Sequence, residues 1–233
     1  MSAPAGTDLG ARLDTVRERI VAAGGDPERI DLIAVTKGFG ADVVRSALDH
    51  GLVDIGESYA QEMAAKVDEL DAAPPSSPSP PVQPRWHFIG RLQSNKVRKI
   101  APFVTLWQSV DRLSLGAEIA QRAPGAAVLA QVGLTGEESK GGCPEARLPA
   151  LVDGLRDLGL DVRGLMTIGP LGPPEDARPV FRKLRQLAER YEVVDCSMGM
   201  SADLEVAVEE GTTMVRLGSA LFGPRPRTAG VRH

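Results

Sequence analysis

Cysteine is nearly absent from this chain of 233 residues: Cys143 and Cys196 are the only two. They lie far apart and offer neither a metal-ligand spacing nor a disulfide framework. Aromatic residues make up only 4%, too few for a platform on which single-stranded nucleic acid would stack. No apolar run approaches the roughly 20 residues that cross a bilayer. Met1 to Gly10 lacks the basic start and apolar core of a secretion signal. A strong charge imbalance is missing as well. The net charge of -4 argues against a general nucleic-acid binder and leaves only local basic patches to consider. The simplest compartment is the cytoplasm, with neither membrane nor nucleic acid as partner.

What is present suits a globular protein: 42% hydrophobic and 25% charged residues, in a chain long enough for one large core. The stretch Ile30 to Lys37 (IDLIAVTK) reads as a buried parallel strand that ends in a lysine. Asp26-Pro27 and Gly38-Phe39-Gly40 punctuate its two ends. Carboxyl ends of parallel strands face the site in α/β folds, so Lys37 is expected to point into a pocket. Desolvation or a cationic neighbour would make its amine a nucleophile there. The plain alternative is a strand-end lysine that reaches water.

Strand and helix alternate through the rest. The spacing of Leu9, Leu13, Val16 and Ile20 predicts an extra N-terminal helix over 8–23, stopped by Gly24-Gly25. Further strands are expected at 52–57, 85–90, 103–110, 126–134, 162–168, 193–198 and 213–222. Helices are expected between them at 41–50, 59–70, 94–100, 111–122, 144–158, 174–190 and 202–210. This pattern predicts a single-domain (β/α)8 barrel of the TIM type spanning 1–233. The stretch 72–84 holds six prolines and reads as a Pro/Ser-rich loop inserted within the barrel. An open doubly wound sheet is the runner-up. It is disfavoured because Lys37-Gly38-Phe39-Gly40 does not match the GxGxxG fingerprint.

Barrels often hold phosphate at the exits of strands seven and eight. Ser201 is placed to cap the helix after strand seven, whose amide end would suit an anion. Asp203 and Glu205 in its first turn mildly favour an ordinary cap without ligand. Gly218 and Ser219 follow strand eight. Arg216 interrupts the apolar run Met214-Val215-Arg216-Leu217 and needs a partner, either a barrel carboxylate or a ligand atom. One ligand would use all these parts: pyridoxal phosphate, with a lysine for its aldehyde and a partner for its ring nitrogen.

Six stretches then carry a resemblance: LIAVTK (32–37), IGESYAQE (55–62), WHFIGRLQSNK (86–96), GLMTI (164–168), SMGMSAD (197–203) and VRLGSALFG (215–223). With them the chain resembles the pyridoxal phosphate homeostasis protein family, also called the proline synthetase co-transcribed family. Its barrel is similar to the N-terminal domain of alanine racemase. The resemblance implies that Lys37 holds the cofactor as an aldimine and that Ser201, Gly218 and Ser219 hold its phosphate. It implies that Met200 contributes near the phosphate through its backbone, and that Arg216 meets the pyridine nitrogen. Ser58 stands where the family usually has Asn, a position linked with the ring hydroxyl. Gly38-Phe39-Gly40 departs from the family's Thr and Pro and predicts a looser entrance.

The resemblance implies a cytoplasmic protein of vitamin B6 homeostasis that binds the cofactor without established turnover and passes it to PLP-dependent apoenzymes. No catalytic residue is assigned; Lys37 would be one if the protein were an enzyme. The alternative is a single-domain PLP-dependent amino-acid racemase or lyase. That reading lacks a second base: the chain ends at His233 with no C-terminal β domain expected, and Tyr59 and Tyr191 are its only tyrosines. A cofactor-free phosphosugar enzyme would leave Lys37 and Arg216 without a joint explanation. A monomer is expected. His87 is read as a packing or hydrogen-bonding residue. Arg91, Lys96, Arg98 and Lys99 are read as a solvated basic face, with a second phosphate-ligand or partner site as the alternative. The loop 137–142 reads as a flexible lid.

Overall fold

The computed structural model describes residues 6–72 and 82–224. Most of the expected Pro/Ser-rich loop therefore lies outside the described residues. Nine parallel strands alternate with helices in chain order: α1 (Gly6–Ala22), β1 (Asp31–Val35), α2 (Ala41–Asp49), β2 (Asp54–Glu57), α3 (Ala60–Asp71), β3 (Arg85–Phe88), α4 (Val97–Ile100), β4 (Val104–Val110), α5 (Leu113–Arg122), β5 (Ala127–Gly133), β6 (Cys143–Pro144), α6 (Leu148–Asp157), β7 (Asp161–Met166), α7 (Arg178–Arg190), β8 (Asp195–Met200), α8 (Leu204–Glu209), β9 (Met214–Leu217) and α9 (Ser219–Phe222). The order β4-β3-β2-β1-β9-β8-β7-β5 closes through a β4–β5 pairing, which makes a ring of eight. β6 is a two-residue strand beside β5, outside the ring. This is the expected (β/α)8 barrel with its extra N-terminal helix.

Residue alternation decides what faces the barrel interior. Ile33, Leu106, Leu129, Met166 and Met214 meet there in one small apolar cluster. Their strand neighbours Ala34, Trp107, Ala130, Leu165 and Val215 turn outward into the larger core beneath the helices. Along β9, Met214 faces in, Val215 out, and Arg216 in again. The same period of two puts Ser197 of β8, Gln108 of β4 and His87 of β3 inside, all buried. The helices close the outer shell with stripes such as Phe181, Leu184, Leu187 and Ala188 of α7.

Two strand ends differ from expectation. β1 stops at Val35, because the Thr36 carbonyl accepts a 3.0 Å bond from the Phe39 amide and turns the chain. Lys37 thus sits in that turn, not on the strand. β9 is not extended to 222. The Leu221 and Phe222 amides fold back to the Gly218 carbonyl at 3.1 and 2.8 Å, which forms the one-turn helix α9. Glycine is required at two places. Gly199 has φ +91°, and a Cβ there would lie 2.4 Å from the Ala207 Cβ; a Cβ on Gly90 would lie 2.2 Å from the Ser58 carbonyl oxygen.

Candidate functional site

The carboxyl ends of β1, β8 and β9 open into a cavity of about 320 Å³. Lys37, Met200, Ser201, Arg216, Gly218 and Ser219 all line it, so six of the seven expected site residues converge. Parallel register brings them together: Ile33 lies beside Arg216, and Met200 lies beside Arg216 on the other side. Val35 and Phe39 complete the near wall. The Phe39 ring meets Phe222 with centroids 5.7 Å apart, which ties the Lys37 turn to α9.

Ser58 is the exception. It lines a neighbouring cavity with Tyr59, Arg91 and Lys96 and is not among the residues of the first. The reason is local. Gly90 allows the backbone after β3 to pack directly on the Ser58 carbonyl, which places Ser58 on the β2–β3 side of the rim.

The two phosphate-side residues behave differently from a simple cap. The helix after β8 begins at Leu204, with Asp203 at the N-cap position. Ser201 does not cap it. The Ser201 hydroxyl instead accepts a 3.1 Å bond from the Ala220 amide, at the start of α9. The Met200 amide donates to Asp203 Oδ1 at 2.6 Å, so that N–H is already used. The N-terminal helix fixes the same loop: Arg19 donates to the Ser201 carbonyl at 3.1 Å and to both Glu205 oxygens at 2.6 and 2.7 Å. Glu205 thus serves Arg19 in addition to its own helix dipole.

Arg216 is 5% exposed, and its guanidinium meets no carboxylate among the described residues. It donates to the Ser197 hydroxyl at 2.6 Å and to the Thr167 carbonyl at 2.8 Å. Burial pushes its pKa down to about 10, against the opposing field of Asp203. It therefore stays a cationic donor at neutral pH, with part of its fork left to face the cavity. Ser197 passes the contact on. Its hydroxyl donates to Gln108 Oε1 at 2.7 Å, Gln108 Nε2 donates to His87 Nδ1 at 2.8 Å, and His87 Nε2 bonds Asp54 Oδ1 at 2.9 Å. Arg85 closes on Asp54 at the opposite mouth of the barrel. Burial opposes the Asp54 charge, but His87 and Arg85 outweigh it and keep its carboxyl below the ordinary range.

A second polar group stands behind the Lys37 turn. Glu57 and Lys66 are both buried, and the Lys66 ammonium reaches Glu57 Oε1 at 2.5 Å, Glu62 Oε1 at 2.7 Å and the Thr36 carbonyl at 2.7 Å. The Thr36 hydroxyl also donates to Glu57, at 2.6 Å, and Glu62 accepts from the Gly38 amide at 2.6 Å. Desolvation raises the Glu57 pKa even though Lys66 pulls it down. Sequence reasoning missed this network, although both glutamates lie inside the stretch 55–62.

The loop 137–142, expected to be a lid, makes side-chain bonds to the barrel rim. The Lys140 ammonium bonds Glu137 Oε1 and the Gly169 carbonyl, and the Lys140 carbonyl accepts from Gln131. Both cysteines are buried and unpaired with each other, with thiols pushed up to about 11 by burial. Among the described residues no helix is long and apolar enough to cross a membrane.

Comparison with known proteins agrees with this fold. The model of the alanine racemase N-terminal domain family matches residues 13–226. The pyridoxal phosphate homeostasis protein of Pseudomonas aeruginosa is 42% identical over 218 residues, 90% of this chain and 91% of that one. The protein of the same name from Aquifex aeolicus is 41% identical, covering 92% of this chain and 97% of its own. PipY of Synechococcus elongatus, solved with PLP bound, superposes with a TM-score of 0.78 at 32% identity, covering 92% of this chain and 100% of PipY. The fold and site thus define a barrel of the alanine racemase N-terminal type. Within that class, the chain belongs to the pyridoxal phosphate homeostasis protein family.

Proposed function

We infer that this protein binds pyridoxal 5'-phosphate reversibly at the mouth of the barrel and serves vitamin B6 homeostasis inside the cell. One observation carries the reading: Lys37, the buried Arg216, Ser201, Gly218 and Ser219 line a single cavity. Its volume lies at the lower end of the range for small-ligand pockets, which run from about 300 Å³ upward. The residues fit the cofactor. The Lys37 amine would condense with the aldehyde, losing water, to a Schiff base. Ser201, Gly218 and Ser219 would take the phosphate at the start of α9, and Met200 would wall the site. Arg216 would donate to the ring nitrogen. Ser58 is not needed for that pose.

When bound, the cofactor supplies an electrophilic aldehyde and an electron-withdrawing ring. A guanidinium at the ring nitrogen disfavours its protonation and so weakens that withdrawal. This favours holding and releasing the cofactor over turnover. The protein would act as a monomeric cytoplasmic carrier, limiting free aldehyde and delivering it to PLP-dependent apoenzymes. PipY, whose PLP-bound form superposes along its whole length, supports the reading.

The test is the visible spectrum of the purified protein with added pyridoxal phosphate, before and after borohydride, followed by peptide mass mapping. An imine band and a reduced adduct on the Lys37 peptide are expected. No band, or adducts spread over surface lysines, would overturn the reading. Turnover of an amino acid that disappears in Lys37→Ala would replace the carrier with a racemase or lyase.

A further inference from the structure

The turn that carries Lys37 is gripped on both sides of the lysine. On one side, the Thr36 carbonyl accepts from the Phe39 amide at 3.0 Å and from the Lys66 ammonium at 2.7 Å. The Thr36 hydroxyl donates to Glu57 Oε1 at 2.6 Å. On the other side, the Gly38 amide donates to Glu62 Oε1 at 2.6 Å. Lys66 joins the two halves, because it reaches that same Glu62 oxygen at 2.7 Å and Glu57 Oε1 at 2.5 Å. Glu57 comes from β2, and Glu62 and Lys66 come from α3. None of the three lines the cavity into which Lys37 opens.

Stability is a poor reason for this arrangement. Apolar side chains of similar volume often replace a buried ion pair at no cost. The charges here are also unbalanced, with one ammonium against two carboxylates. Glu57 Oε2 is buried without a hydrogen-bond partner among the described residues. Apolar side chains could not, however, hold one particular carbonyl and one particular amide on either side of a single residue. The Lys37 amine sits at the end of a flexible four-carbon stem. Fixing the backbone at the root of that stem removes part of the entropy cost of bringing the amine to a reacting carbon. Glu62 is the member that can be removed most cleanly. Its side chain is 25% exposed, and without it Lys66 still has Glu57.

We propose that Glu62, with Lys66 and Glu57 behind it, is a positioning residue for the Lys37 amine. It rests on pyridoxal phosphate forming its imine at Lys37, a condensation in which a C=N bond replaces C=O and water leaves. The test compares two ligands by calorimetric titration: pyridoxal phosphate, and 4-deoxypyridoxine 5'-phosphate, which has a methyl group in place of the aldehyde. In Glu62→Ala the affinity for pyridoxal phosphate should fall about tenfold, with the affinity for the deoxy analogue unchanged. Glu62→Gln keeps a side-chain carbonyl for the Gly38 amide and should restore binding of the aldehyde. Equal losses for both ligands, no loss for either, or no recovery in Glu62→Gln would overturn the proposal. An unsubstituted protein that binds neither ligand, or that gives no borohydride-reduced adduct at Lys37, would overturn the cofactor reading and the proposal with it.

Discussion

Arg216 lies 2.6 Å from the Ser197 hydroxyl, and that one hydroxyl is both its acceptor and the donor to Gln108. The guanidinium is therefore aimed by a chain of side chains that crosses the barrel interior to Asp54. Ser197→Ala removes one of Arg216's two acceptors and leaves the Gln108 carbonyl without a donor. Unpaired buried groups of this kind cost about 1–3 kcal/mol each. Urea unfolding should show a lower midpoint with an unchanged slope, and pyridoxal phosphate should bind more weakly as Arg216 loses its orientation.

Lys66→Met tests the network behind the Lys37 turn. It leaves the fully buried Glu57 carboxylate without its cation, a change that costs about 3–5 kcal/mol in comparable buried pairs. The loss should depend on pH. The folded pKa of Glu57 is already above its ordinary 4.5, and losing Lys66 raises it further. A raised carboxylate pKa means the folded state binds the proton more tightly, so stability is greatest below 4.5 and declines as pH rises through the folded value. The variant's deficit, measured by urea unfolding, should be larger at pH 8 than at pH 5.

Arg19→Ala separates binding from stability. The Arg19–Glu205 pair is partly exposed, and such pairs contribute only about 0–1 kcal/mol. The melting temperature should move little. Arg19 also holds the Ser201 carbonyl, so a spectrophotometric titration should show weaker binding of pyridoxal phosphate. Equal affinity would mean that the loop keeps its shape without α1.

Gly199→Ala and Gly159→Ala differ only in space. Both glycines have positive φ, but a Cβ at Gly159 meets nothing within 4 Å, whereas one at Gly199 collides with Ala207. Gly159→Ala should cost about 1–2 kcal/mol from the backbone alone. Gly199→Ala should cost about 1–3 kcal/mol more, from overpacking against α8. Thermal melts of the two variants side by side check the difference.

The strand and helix rhythm was legible because it is written in short-range periods, two for strands and 3.6 for helices. Arg216 was legible as a buried charge that needs a partner, because it interrupts an otherwise apolar strand. Lys37 was legible from its place at the end of a buried strand, although the strand stops two residues earlier and the lysine rides on a turn. Ser201 lines the cavity, but its hydroxyl meets α9 and not the helix it was expected to cap. Its partner, Ala220, lies 19 residues on, and nothing local distinguishes it from the amides of α8.

What the sequence by itself determined is the alternation of elements, the inward faces of the strands and the set of residues at the β8 and β9 exits. Those follow from local hydrophobic pattern and backbone preference. Tertiary structure alone decided the partners. Arg19 reaches Ser201 across 182 positions and Ser197 reaches Gln108 across 89, because ring closure sets distant strands side by side. Ser58 and Lys37 fall into different cavities for a related reason: the chain after β3 packs on the Ser58 backbone, and that approach depends on three-dimensional fit that no spacing in the sequence encodes.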